Sequence, residues 1–230
     1  AIGHAALANN LKGNNNVAVG SGALQAQNTS SSTDTYNTAV GFNSGVNVTS
    51  GHENTLIGGL AGDALNTGSN NVAVGYQALS TEDGHGDNTA VGYRALLTQN
   101  VGNDGYNTAV GSNAGKDITT GRKNTLMGSY VGDVLTDADN NTAVGYAALS
   151  TDTLGSRSTA VGNGALGNQN FTSATNSNNT AVGYSAGSGL TTGTQNTLVG
   201  VNCGVGAITG VGNSCYGLES GNSLTSGAYN

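Results

Sequence analysis

Any chemistry in this chain has to come from thirteen acidic residues, six Lys or Arg, three His and two Cys, and few of them form constellations. His4, His52 and His85 fall at unrelated places without partners, so neither a Ser-His-Asp arrangement nor a paired-carboxylate site is indicated. The stretch Asp137-Ala138-Asp139-Asn140-Asn141 is like the opening of a calcium loop but lacks the downstream glutamate. Glu82-Asp83-Gly84-His85-Gly86-Asp87 also gathers ligand-type residues, and both stretches read as solvated turns. Cys203 and Cys215 stand where small apolar residues recur, on different strands, and read as buried thiols acting as small apolar side chains. No catalytic, metal or cofactor site is therefore expected. Tyr76, Tyr93, Tyr146 and Tyr184, with Phe42, each directly follow a recurring glycine. Regularly spaced aromatics can stack on sugar rings or pack between coils and chains. Packing is the favoured reading, and those four tyrosines are the candidate glycan contacts.

What would position these residues is a repeat. Thirteen glycines, from Gly3 through Gly58, Gly75 and Gly92 to Gly217, recur mostly every 17 residues, with intervals of 21, 19 and 21 as the exceptions. Such a period is too short for a helix pair and fits one rung of a β-solenoid, whose coils bury their apolar side only by stacking. The phrase before each glycine is most often Asn-Thr-Ala-Val. Its Asn column is broken once, by Ser158; its third column is Ala with Leu56, Leu126, Leu198 and Cys215 as variants; its fourth is Val, Ile2, Ile57, Met127 or Tyr216. The Asn column is expected to form a ladder along the stack. Strand alternation places the Thr and Val columns on one face and Ala/Leu on the other, and neither carries charge, which reads as a strand buried on both sides.

After the glycine a second short strand is expected, carrying Ala at its third place and either Leu or Gly at its fourth. Wherever the fourth place is Gly, an apolar residue follows three positions later: Val48, Leu65, Ile118, Leu135, Leu190, Ala207 and Leu224. Leu-type coils are polar there, as at Glu82 and Asp152. One apolar side chain is thus expected to fill the same corner from either of two places. The types alternate in pairs, and the three length insertions, residues 28–36, 99–106 and 168–178, fall in the second Leu-type coil of a pair, as loops protruding every fourth coil.

Composition agrees. Proline, which cannot donate to a ladder, is absent. Charged residues are 8% and the net charge is −7, without the basic patch a nucleic-acid surface needs, and no apolar run is long enough to insert in a membrane. The repeat spans residues 1–230 as a single array, beginning at Ala1-Ile2-Gly3 and ending at Asn230, as expected of an excerpt from a longer fibre.

The phrase Asn-Thr-Ala-Val-Gly-Tyr-Xaa-Ala-Leu, nearly intact at residues 71–79, 88–96 and 141–149, resembles the head repeats of trimeric autotransporter adhesins and the repeat arrays of phage tail fibres. The resemblance implies an all-β, left-handed parallel β-roll with the Ala-Val-Gly strand facing a threefold axis. The sequence thus predicts a parallel β-solenoid of about thirteen coils forming a homotrimer. Its expected role is as an extracellular shaft or adhesin segment, on a virion fibre or bacterial surface, that displays a receptor-binding tip and contacts cell-surface glycan. Two other classes compete. One is a structural filament or sheath stacked end to end. The other is an ice- or surface-binding solenoid, disfavoured because the Thr column reads as covered.

Overall fold

The computed structural model describes residues 1–230. The chain is all-β and has no helix; it is a parallel β-solenoid of about 12 turns with a repeat of about 17 residues. No helix is long and apolar enough to cross a membrane. Two compact units divide it, Ala1–Asn113 and Ala114–Asn230.

In the first unit the phrase before each glycine forms strands Val17–Val19, Thr38–Val40, Thr55–Ile57, Val72–Val74, Thr89–Val91 and Thr108–Val110, with Ile2 making only an isolated bridge to Val19. In the second it forms Thr125–Met127, Thr142–Val144, Thr159–Val161, Thr180–Val182, Thr197–Val199 and Ser214–Tyr216. Pairing is parallel and column on column, as Ala39 opposite Leu56, Leu56 opposite Ala73, and Leu198 opposite Cys215. The glycines that close these strands stack just as tightly. Gly58 has φ +132°, a region that L side chains rarely adopt, and a Cβ added there would lie 2.5 Å from the Gly75 carbonyl oxygen.

Only one strand face is buried within a single chain. The Ala/Leu column is fully enclosed, as at Ala39, Leu56, Ala143 and Leu198. The Thr and Val columns, expected to be covered, point outward and are partly open: Ile57 is 38% and Met127 44% exposed. The cause is strand alternation, which can deliver every second residue only to the one core that the coil encloses.

The segment after the glycine is not a second strand. Its second and fourth residues take positive φ throughout, as at Asn43 (51°), Gly45 (59°), Gln77 (55°) and Leu79 (52°). The segment folds as a run of stacked turns that still hydrogen-bond between coils. The second residue donates to the coil before (Gln77 N to Gly59 O, 3.1 Å), and the fourth to the coil after (Leu79 N to Ala95 O, 3.0 Å). This left-handed fourth place explains the Leu/Gly alternation. Glycine takes it without strain, whereas a non-Gly residue there costs about 1–3 kcal/mol. Full burial of a leucine returns about 1.5–3 kcal/mol. Leu24, Leu79, Leu96, Leu149 and Leu166 are all fully enclosed, and so are Val48, Leu65, Ile118, Leu135 and Leu190 in Gly-type coils. One coil departs from the expected pattern: Ala207 is exposed and its neighbour Ile208 takes the buried place. Ala207 is too small to fill a corner that elsewhere holds Val, Leu or Ile, and Ile208 is large enough.

The Asn column is fully or nearly fully buried along most of its length and forms the expected ladder, running from side chain to main chain. Asn54 Oδ1 accepts the Asn71 amide N–H (3.0 Å) and Asn54 Nδ2 donates to the Gly68 carbonyl (2.9 Å), a pattern repeated at Asn37, Asn141 and Asn196. The two longest insertions are partly ordered, since Gly13–Asn14 pairs with Thr33–Asp34 and Gly155–Ser156 with Thr175–Asn176. Each insertion also buries an anchor residue near its start, Thr29, Val101 or Phe171.

Candidate functional site

The tyrosines that follow the glycines leave the strand just after its outward Val column, and Tyr76, Tyr93, Tyr146 and Tyr184 are 45–57% exposed. In the first unit two of them meet, because Tyr76 and Tyr93 occupy the same place in consecutive coils. Their rings stack with centroids 6.0 Å apart and planes 13° apart. The Arg94 guanidinium lies 5.0 Å from the Tyr93 ring centre and is steadied by a 3.0 Å bond from its Nε to Gln77 Oε1. An exposed aromatic platform edged by a cation can receive the apolar face of a sugar ring or an anionic substituent on it. In the second unit Tyr146 packs edge-on against Tyr130, centroids 6.1 Å apart. Tyr184 has no aromatic at the matching place in the coils on either side, which carry Asn163 and Val201. Tyr130 stands second after its glycine, outside the column that Tyr76, Tyr93, Tyr146 and Tyr184 mark. Its signal was an aromatic one residue off-column, one coil before Tyr146.

Glu82, expected in a solvated turn, is fully buried, and so is Asp152. They occupy the corner that Gly-type coils fill with Val, Leu or Ile, and a polar side chain is tolerated there because hydrogen-bond donors reach it. Asp152 Oδ1 accepts the amides of Gly155 and Phe171 (both 3.0 Å), and its Oδ2 accepts Gln169 Nε2 at 2.5 Å. Gln169 Oε1 in turn accepts Asn179 Nδ2 of the ladder at 2.8 Å. Burial raises the Asp152 carboxyl above the usual aspartate range, opposed by these donors. Glu82 repeats the arrangement more loosely, with Gln99 Nε2 at 3.3 Å and Val101 N at 3.4 Å. Each acid therefore clamps the amide of an insertion's anchor residue. The sequence signal was available: matching places in paired Leu-type coils read Glu82 then Gln99, and Asp152 then Gln169.

Other sequence candidates serve local packing. Asp139 Oδ1 accepts the Arg122 amide at 2.7 Å and Asp137 Oδ1 the Thr120 hydroxyl at 2.7 Å, while Asn141 belongs to the ladder. Cys203 and Cys215 are free thiols, both buried, and Cys203 Sγ donates to the Cys215 carbonyl at 3.3 Å. Burial raises the Cys203 thiol above its ordinary range. An open depression of about 490 Å³, lined by Ala8, Asn9, Leu11, Ala26, Asn28 and Thr49, marks the start of the first unit.

No protein-family model, curated protein or solved structure matches the chain.

Proposed function

We propose that this chain is a segment of an extracellular fibre shaft or adhesin, self-associated as a homotrimer, that spaces or displays a receptor-binding tip and is not itself an enzyme. The observation that carries the reading is the outward Thr and Val face. It repeats in every coil, bears no charge, and stays partly open in one chain, as at Ile57 and Met127. A ladder of methyl-bearing side chains along a rigid stack gains by being covered, and a second and third copy of the same face supply a matching surface in register. The likeness of Asn-Thr-Ala-Val-Gly-Tyr to trimeric fibre repeats supports the same arrangement. The Tyr76–Tyr93 platform is then the favoured place for contact with a surface glycan.

Sedimentation equilibrium of the 230-residue chain tests the assembly. The wild type is expected as a trimer, and the double variant Ile57→Asp/Val74→Asp as a folded monomer, because both side chains already face outward. A wild type that stays monomeric while folded refutes it. The open Thr column favours one second reading, an ice- or surface-binding solenoid, because the objection that this column is covered fails in a single chain. A folded monomer that inhibits ice recrystallisation would select that reading.

A further inference from the structure

We propose that Glu82, Asp83 and His85 form a binding site for a borderline divalent cation of the Zn²⁺ type, contrary to the sequence expectation of no metal site. Two columns change identity in this one coil. The buried acid corner carries Glu82, and three residues later His85 stands where Gly51, Gly68, Gly121, Gly155, Gly193 and Gly210 occupy most other coils. The turn geometry of the coil brings the two together, and Asp83 lies beside them, so that one ligand atom from each of the three residues falls within 4.8 Å of the others.

His85 supplies the observation that asks for a ligand. Its side chain is 32% exposed, yet its Nδ1 is buried and has no hydrogen-bond partner. That nitrogen sits 3.4 Å from Glu82 Oε1, without the alignment of a hydrogen bond. Two ligands bound tetrahedrally at 2.0–2.2 Å are roughly 3.3–3.5 Å apart, so the pair is already spaced as one edge of a zinc tetrahedron. The carboxylate is correspondingly under-used. Asp152, at the equivalent place but followed by Gly155, takes donors at 2.5–3.0 Å, whereas every donor to Glu82, including the His85 amide at 3.2 Å, lies at 3.2–3.4 Å. Asp83 is exposed, and its carboxylate lies within 4.8 Å of the other two ligand atoms as the third ligand. One imidazole with two carboxylates selects Zn²⁺ and its first-row neighbours over Ca²⁺ or Mg²⁺, and leaves a fourth position for water.

The test is calorimetric titration of the tag-free, chelator-treated 230-residue chain with ZnCl₂, paralleled by the visible absorption of Co²⁺ in its place. The wild type is expected to bind one equivalent and to give a Co²⁺ spectrum of low-coordinate type. His85→Gly, which restores the glycine of the other coils and keeps the fold, should weaken binding at least tenfold, as should Glu82→Gln. Asp152→Asn, which alters the equivalent corner without a histidine, should leave zinc affinity unchanged. The proposal is overturned if the wild type shows no saturable binding, or if His85→Gly binds zinc as well as the wild type does.

Discussion

Removing one rung of the asparagine ladder is the most direct test of what holds the coils in register. Asn54 is fully buried, and its side chain serves two backbone groups that have no other partner of their own: the Asn71 amide, which donates to Oδ1 at 3.0 Å, and the Gly68 carbonyl, which accepts from Nδ2 at 2.9 Å. Asn54→Ala strands both in a dry interior. At about 1–3 kcal/mol for each orphaned buried group, the expected destabilisation is about 2–6 kcal/mol. Coils are stabilised by their neighbours, so the loss should appear first as local opening. Native-state hydrogen exchange at Asn71 and the residues around it is the suitable assay, and the acceleration should be roughly 30-fold to 10⁴-fold on the scale of tenfold per 1.4 kcal/mol. His52→Ala, exposed in the same coil and outside the strand face, serves as the control and should change stability by no more than about 0.5 kcal/mol. If Asn54→Ala accelerates exchange no more than His52→Ala does, the ladder is incidental to register and this account of it is wrong.

Glycine substitutions should divide sharply. Gly58→Ala puts a Cβ 2.5 Å from the Gly75 carbonyl at φ +132° and should unfold its part of the first unit in thermal melts, while Gly102→Ala, whose Cβ meets nothing within 4 Å, should be neutral or better. For Asp152 the folded carboxyl is raised by burial, so its contribution is fully present below the unfolded value of about 3.9 and is lost as pH rises through the raised folded value. Urea midpoints measured across that window should therefore fall with rising pH more steeply in the wild type than in Asp152→Asn, and equal slopes would remove the carboxyl from the account. On a glycan array, Tyr76→Ala/Tyr93→Ala should lose any binding that the wild type shows, whereas Tyr184→Ala, whose matching neighbours are not aromatic, should lose little; retention by the double variant sinks the platform.

The strand phrase was legible because its columns obey simple rules. Ala or Leu inward, Thr and Val outward, and glycine wherever backbones touch are requirements on size and chirality that every coil must meet alike. What the sequence hid depends on pairs of residues in different coils. Glu82 looks like an ordinary turn acid until Gln99 and the Val101 amide arrive from the next coil to hydrogen-bond it. The stacked turns after the glycine were misread as a strand because Leu79 and Leu96 have apolar side chains that say nothing of their positive φ. Whether the outward face is open depends on partners that a single chain does not contain. At the candidate contact site, the four tyrosines were visible by position, but the stacking of two of them and the separation of Tyr184 follow from which coils are adjacent.

The break in the asparagine column has a mechanical meaning. Tension applied along a stack of coils passes through every rung in series, so the force at rupture is set by the poorest link rather than by the average one. Within the second unit the gap in the ladder itself is the junction after Ser158. Its amide still takes Asn141 Oδ1 at 2.8 Å, but its short hydroxyl turns to Ser177 at 2.6 Å instead of reaching the next main chain. The same junction carries the Asp152 clamp on Phe171 and the pairing of Gly155–Ser156 with Thr175–Asn176, so it should hold as well as its neighbours in the wild type and part first only when Asp152→Ala removes the clamp.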